Sequence, residues 1–208
     1  MTIDAQNILE SILESLNKID YIKPEDVPGI DLYMDQVTTF MDRQLKSSKR
    51  YEEDKILTKT MINNYAKNNL LPPPDKKKYS KEHMLLLIFI YYFKNILSIS
   101  DIQSLLSPLT EKYFHTDHSL QLDDIYTEVF SLEKSEVEVM KENLVEKYKT
   151  SRGTFTEVPD EDKDFLQLFS FICMLSFDVY VKKSVIEKLI DQLPRPEKKG
   201  KKREKDEE

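Results

Sequence analysis

An all-α fold is predicted by three observations. Only three glycines, Gly29, Gly153 and Gly200, occur in 208 residues, too few for the tight turns that strands need. Apolar residues recur at spacings of three and four in most segments. Ser, Thr, Asn and Pro stand where helices start and stop.

Ile8, Leu9, Ile12, Leu13 and Leu16 predict an N-terminal amphipathic helix, with residues 1–29 as helix and linker. Leu32, Val37, Phe40, Met41 and Leu45 predict a second helix, followed by a polar loop at Lys46–Lys55. Thr58 then caps a helix of about eleven residues that stops at Asn68-Asn69, since Asn tolerates the left-handed conformation that ends helices. Pro72-Pro73-Pro74 forbids continuation, and Lys76–Tyr79 makes a short extended or hairpin-like connection. Ser80 caps a long apolar helix from Lys81 to about Ile96.

Ser100 and Gln103 read as the capping box of a further helix that Pro108 ends. Thr110–Phe114 reads as a short helical turn, and Leu122–Phe130 and Leu132–Tyr148 as two more helices, the latter with Val137, Met140, Leu144, Val145 and Tyr148 on one face. After a loop at Thr150–Pro159, a last helix covers Asp160–Leu193, its acidic start favoured by the helix dipole. The charged tail, residues 195–208, reads as disordered.

The two most apolar runs are Met84–Phe93 and Phe165–Val181. The second is 17 residues long and contains Gln167 and Asp178, short of the ~20 that span a bilayer. Both are therefore expected to be core helices, with no membrane partner. In the second, Phe165, Leu168, Phe169, Ile172, Leu175 and Val179 should bury against the apolar face that precedes them. The single Cys173 is expected to be a buried small hydrophobe. With no disulfide possible and no apolar leader near the start, a cytoplasmic location is expected.

The formal net charge of −7 is unevenly spread. Residues 43–81 carry eleven Lys and Arg against Glu52, Glu53, Asp54 and Asp75, a local +7. Residues 110–194 hold ten cations against eighteen acids. Charge alone fits a solvated lysine-rich face as well as an anion-binding one. Chemistry narrows the choice. In the helix that Thr58 opens, Met61, Ile62 and Tyr65 share the core side. The opposite side presents Lys59, Thr60, Asn63, Asn64 and Lys67, with no acid among them. Amides flanked by cations, with Thr58 at the helix start as a further candidate contact, suit base edges and phosphates of double-stranded DNA. Lys76, Lys77, Lys78 and Tyr79 follow as candidate backbone contacts.

Other chemistries find little support. The histidines are His83, His115 and His118, and none is spaced from a nucleophile or a ligand set in a way that suggests a catalytic relay or a metal site. No phosphate-binding glycine loop is possible. No enzyme activity, cofactor or metal is expected.

From Leu57 to Leu106, the order LTKTMINNYAKNNLLPPP, KKKYS and EHMLLLIFIYYFKNILSISDIQSLL resembles the winged helix-turn-helix of the MerR family. Tyr65 matches its recognition-helix aromatic, Leu70-Leu71-Pro72-Pro73 its exit, Lys76–Ser80 its wing, and Ser98–Ile102 the start of its next helix. Asn63 stands where that pattern commonly has Arg, and Asn69 and Ile96 where it has Gly. More widely, residues 30–140 resemble a bacterial domain-of-unknown-function family typified by YkrK-like regulators. The resemblance implies a MerR-like winged helix-turn-helix at 30–109, a helical assembly or sensing region at 110–194, and a homodimeric transcriptional regulator, open to a small-molecule effector. The alternative is a helical protein-interaction module that has kept the fold without DNA.

Overall fold

The computed structural model describes residues 5–16 and 21–193, without the side chains of residues 5, 6 and 134. The tail expected at 195–208 lies outside the described residues. Helices dominate, as the glycine count implies. Helix α1 is Ala5–Leu16; a 3-10 turn at Pro24–Asp26 leads to strand β1, Leu32–Tyr33, and α2, Met34–Gln44. Another 3-10 turn, Lys46–Ser48, precedes α3, Lys59–Lys67. Strand β2, Lys78–Tyr79, then runs into α4, Lys81–Phe93. Four helices complete the chain: α5, Ile99–Tyr113; α6, Leu122–Ser131; α7, Glu133–Arg152; and α8, Asp160–Ile190.

Helix α4 is the axis of the main core. Every residue from His83 to Tyr91 is buried, as a helix apolar on all sides requires. Ser80 opens it, its N–H donating to His83 Nδ1 at 3.0 Å. Around it pack Val37, Phe40 and Met41 of α2, Ile62 and Tyr65 of α3, Ile102 and Leu106 of α5, and Leu122 and Tyr126 of α6. Tyr126 lies 4.3 Å from the Phe130 ring and 5.5 Å from Phe89. Its hydroxyl donates to the Ile22 carbonyl at 2.6 Å, and burial pushes its pKa upward. The core therefore runs past residue 109, through α6, and starts at Ile22.

Two local expectations are corrected. The N-cap of α5 is Ser98, not Ser100: Ser98 Oγ accepts the Asp101 N–H at 3.2 Å, and Asp101 Oδ2 accepts the Ser98 N–H at 3.2 Å. Pro108 does not end that helix, which continues to Tyr113 with the proline inside. The missing amide and the crowding of the preceding turn have a cost. Ile102, Leu105 and Leu106 before the proline and Leu109 after it pack on the core, so tertiary contact carries the helix through.

The C-terminal hairpin differs more. Leu144 and Tyr148 of α7 meet Leu168, Phe171 and Leu175 of α8, with Leu9, Leu13 and Leu16 of α1 covering the seam. Buried Gln167 locks the turn, its Nε2 donating to the Arg152 and Thr154 carbonyls at 2.9 Å each. The expected burial of Phe165, Phe169, Ile172 and Val179 does not occur: all four are exposed, and Cys173 is half-buried. Ten of the twenty residues of α7 are charged, so it offers one apolar stripe and covers one side of its neighbour. The run Phe165–Val181 is thus not a core helix. It belongs to a 31-residue helix that, by length and composition alone, is apolar enough to cross a membrane. At the far end of α8, Ile190 rejoins the main core.

Candidate nucleic-acid interface

The sequence from Leu57 to Tyr79 builds a helix and a hairpin side by side. Thr58 sets the start of α3, its Oγ1 accepting the Met61 N–H at 3.2 Å. That bond uses the hydroxyl oxygen as an acceptor, and Thr58 itself is half-buried at the helix start. Ile62 and Tyr65 anchor the inner face, and burial raises the Tyr65 pKa. At the exit, Asn69 has φ 54°, and the Leu70 and Leu71 amides both return to the Tyr65 carbonyl, at 2.9 and 3.3 Å. Asn68 Nδ2 donates to the Asn64 carbonyl at 2.8 Å. With both ends fixed, the outer face is presented rigidly: Lys59, Thr60, Asn63, Asn64 and Lys67 are all exposed.

The hairpin is tight. Lys78 N–H donates to the Asp75 carbonyl at 2.8 Å, and Lys76 and Lys77 between them have φ 45° and 66°. Positive φ at both central positions is the geometry that normally selects Asn-Gly. Two lysines there hold backbone angles that cost a side chain with a Cβ some strain. β2 pairs antiparallel with β1, Leu32 opposite Tyr79 and Tyr33 opposite Lys78, which ties the hairpin to the start of α2.

Not every candidate reaches the surface free. Tyr79 is buried, its ring edge-on to His83 at 5.5 Å, and burial raises its pKa. It belongs to the core, because the period-two alternation of β2 turns it inward while Lys78 faces out. Lys78 Nζ lies 5.3 Å above the Tyr33 ring. Lys59 forms an ion pair with Asp35 of α2, an acid absent from its own helix and so invisible in the reading of that face.

The structure adds cations that the helix pattern does not reveal. Between α2 and the loop before α3 opens a cleft of about 740 Å³ whose lining includes Arg43, Lys46, Lys49 and Arg50. Lys49 pairs with Asp42 at 2.7 Å. Lys94 ties the loop to α4, its Nζ donating to the Ile56 carbonyl at 2.6 Å, and burial lowers its pKa. The local charge of residues 43–81 was the signal that could have pointed to Arg43 and Lys46.

Behind the hairpin, three side chains meet that the sequence keeps apart. His115 Nε2 lies 3.0 Å from Ser80 Oγ and 2.9 Å from Glu82 Oε2. A nucleophile relay puts the carboxylate on the other ring nitrogen. Here one nitrogen meets both groups, and the His115 N–H also donates to Glu82 at 3.1 Å, which makes a brace between the first turn of α4 and the loop after α5. His83 is buried, which drives its pKa down to about 4, with the Pro73 carbonyl opposing more weakly.

The family profile described as Domain of unknown function (DUF1836) matches residues 22–129, just over half of the chain. The chain belongs to the DUF1836 family. The matched span opens at Ile22, whose carbonyl takes the Tyr126 hydroxyl, and closes within α6, so the DUF1836 region takes in the helices around α4 together with α3 and the hairpin. No curated protein and no solved structure matches the chain.

Proposed function

We propose that this protein is a sequence-specific DNA-binding transcriptional regulator, acting in the bacterial cytoplasm in the manner of MerR-like winged helix-turn-helix proteins and YkrK-like regulators. In this reading α3 lies in the major groove and the Lys76–Lys77 turn rests on the neighbouring backbone. One observation carries it: α3 is locked on its inner face by Ile62 and Tyr65, while its outer face exposes Lys59, Thr60, Asn63, Asn64 and Lys67 beside a cationic hairpin. Asn pairs bidentately with adenine, Thr touches the thymine methyl, and Lys reaches guanine or phosphate. Arg43, Lys46 and Arg50 extend the phosphate contacts along α2 and the following loop. Asp35 yields Lys59 when phosphate competes for it.

Duplexes of random sequence and from upstream of the protein's own gene, titrated at several salt concentrations, test this reading. Binding should prefer one duplex, fall steeply with salt, and be lost when Lys76, Lys77 and Lys78 are changed to Glu. Asn63→Ala or Asn64→Ala should cost ~1–3 kcal/mol on the preferred duplex and relax its preference, whereas Lys77→Ala should weaken all duplexes alike. Equal losses on specific and random DNA for the Asn changes would remove base readout. No retention on any duplex at low salt would favour the interaction module, for which the Lys59–Asp35 pair is the observation in hand.

A further inference from the structure

The cleft between α2 and the loop before α3 has the size of a ligand site. Its volume of about 740 Å³ falls within the ~300–1,000 Å³ common for small molecules. The loop that makes one wall is held at several points. Ser48 Oγ donates to the Leu45 carbonyl at 2.6 Å and also meets the Tyr91 hydroxyl of α4. Asp54 Oδ2 accepts the Arg50 and Tyr51 N–H groups at 3.2 and 3.0 Å, and Lys94 holds the loop at Ile56. A wall fixed before a ligand arrives lowers the entropy cost of binding.

Four cations and one exposed ring line this space. Lys49 is spent on Asp42, and its side chain is only 13% exposed. Among the described residues, Arg43, Lys46 and Arg50 pair with no carboxylate. Glu52 is the second acid of the lining, so three cations against one acid leave a surplus of two positive charges. The Arg50 guanidinium lies over the Tyr51 ring, 5.2 Å from its centre, and Tyr51 is 54% exposed. Arginine and lysine gathered around one concavity recognise phosphate. An exposed ring beside a guanidinium takes a nucleobase by stacking. The two together describe a ligand that carries both groups.

We propose that this cleft binds a nucleoside polyphosphate, with its phosphates on Arg43, Lys46 and Arg50 and its base against Tyr51. The site lies in the DUF1836 region, apart from the 110–194 helices to which the resemblance gives sensing. It goes beyond DNA reading, although the same three cations serve both. Its readout is nucleotide binding without DNA, so either proposal can fail alone.

Isothermal titration of the full chain with ATP, GTP, adenosine and tripolyphosphate tests the site. ATP and GTP should bind alike, one per chain, because stacking accepts any base, and adenosine should not bind. Tyr51→Ala should weaken ATP about tenfold and leave tripolyphosphate unchanged. Arg43→Gln with Lys46→Gln should weaken both about a hundredfold, with unchanged circular dichroism. Lys76→Gln with Lys77→Gln, in the hairpin, should alter neither. Absence of heat with both nucleotides would overturn the proposal. So would an ATP affinity indifferent to Tyr51→Ala, which would leave a site for inorganic anions, or hairpin changes as costly as cleft changes, which would leave only the general attraction of a basic surface.

Discussion

Helices α4 and α8 carry the most apolar runs of the chain, and their surroundings differ. α4 is enclosed by α2, α3, α5 and α6, and its middle residues reach zero accessibility. α8 leans on α7 and α1 and reaches the main core at Ile190, but much of its remaining surface faces solvent, with Phe165, Phe169 and Phe177 more than half exposed. Composition is common to both; the supply of neighbours is not. An apolar stretch therefore predicts that something will cover it, while the topology decides whether the cover comes from the same chain.

The sharpest way to break this contrast is truncation. Leu86→Ala in α4 removes methyl groups from a site that cannot collapse, and should cost 2–5 kcal/mol, roughly, in urea unfolding. Val179→Ala in α8 should change the stability of the monomer by less than about 0.5 kcal/mol. Comparable losses at the two sites would show that α8 is covered within one chain.

A second effect belongs to α4 alone. His83 is neutral in the folded protein, with its pKa lowered to about 4 by burial, and near 6.5 when unfolded. The unfolded chain binds the extra proton between those values, so stability is full above pH 6.5 and declines as pH falls toward 4, by roughly 3 kcal/mol. Urea midpoints at pH 7.5 and 5.0 should show the decline in the wild type. His83→Gln, which keeps an acceptor for the Ser80 amide, should flatten it; an undiminished decline would assign it to other groups.

The smallest effect contrasts fold with binding. Lys76→Asn with Lys77→Gly relieves two positive φ angles and should stabilise the fold by ~1 kcal/mol. The same change should weaken binding to every duplex. If stability does not rise, the turn carries no strain; if binding is untouched, its lysines are not contacts.

Much of this architecture is legible from local chemistry. Thr58, Asn69 and Ser80 mark helix ends by their own preferences, and the structure uses each as expected. The apolar pattern of Met84–Phe93 likewise identifies the core helix. What escapes the sequence is set by partners far along the chain. Pro108 survives inside α5 because the core holds both sides of it. Tyr79 turns inward because β2 pairs with β1, and Lys59 is met by an acid of α2. The exposure of Phe165 and Phe169 follows from how little α7 can cover. Periodicity identifies a face, but not the amount of surface available to receive it.

Ile190 closes the last turn of α8 yet is buried with the residues around α4. The main core is thus completed by a side chain that leaves the ribosome long after Tyr126. Until α8 has docked its far end, the main core has a gap in its wall, and loop closure over the intervening helices must precede the final gain in stability. The order of synthesis and the order of completion are therefore different, and a nascent chain stalled within α8 would hold an otherwise formed core with one residue missing.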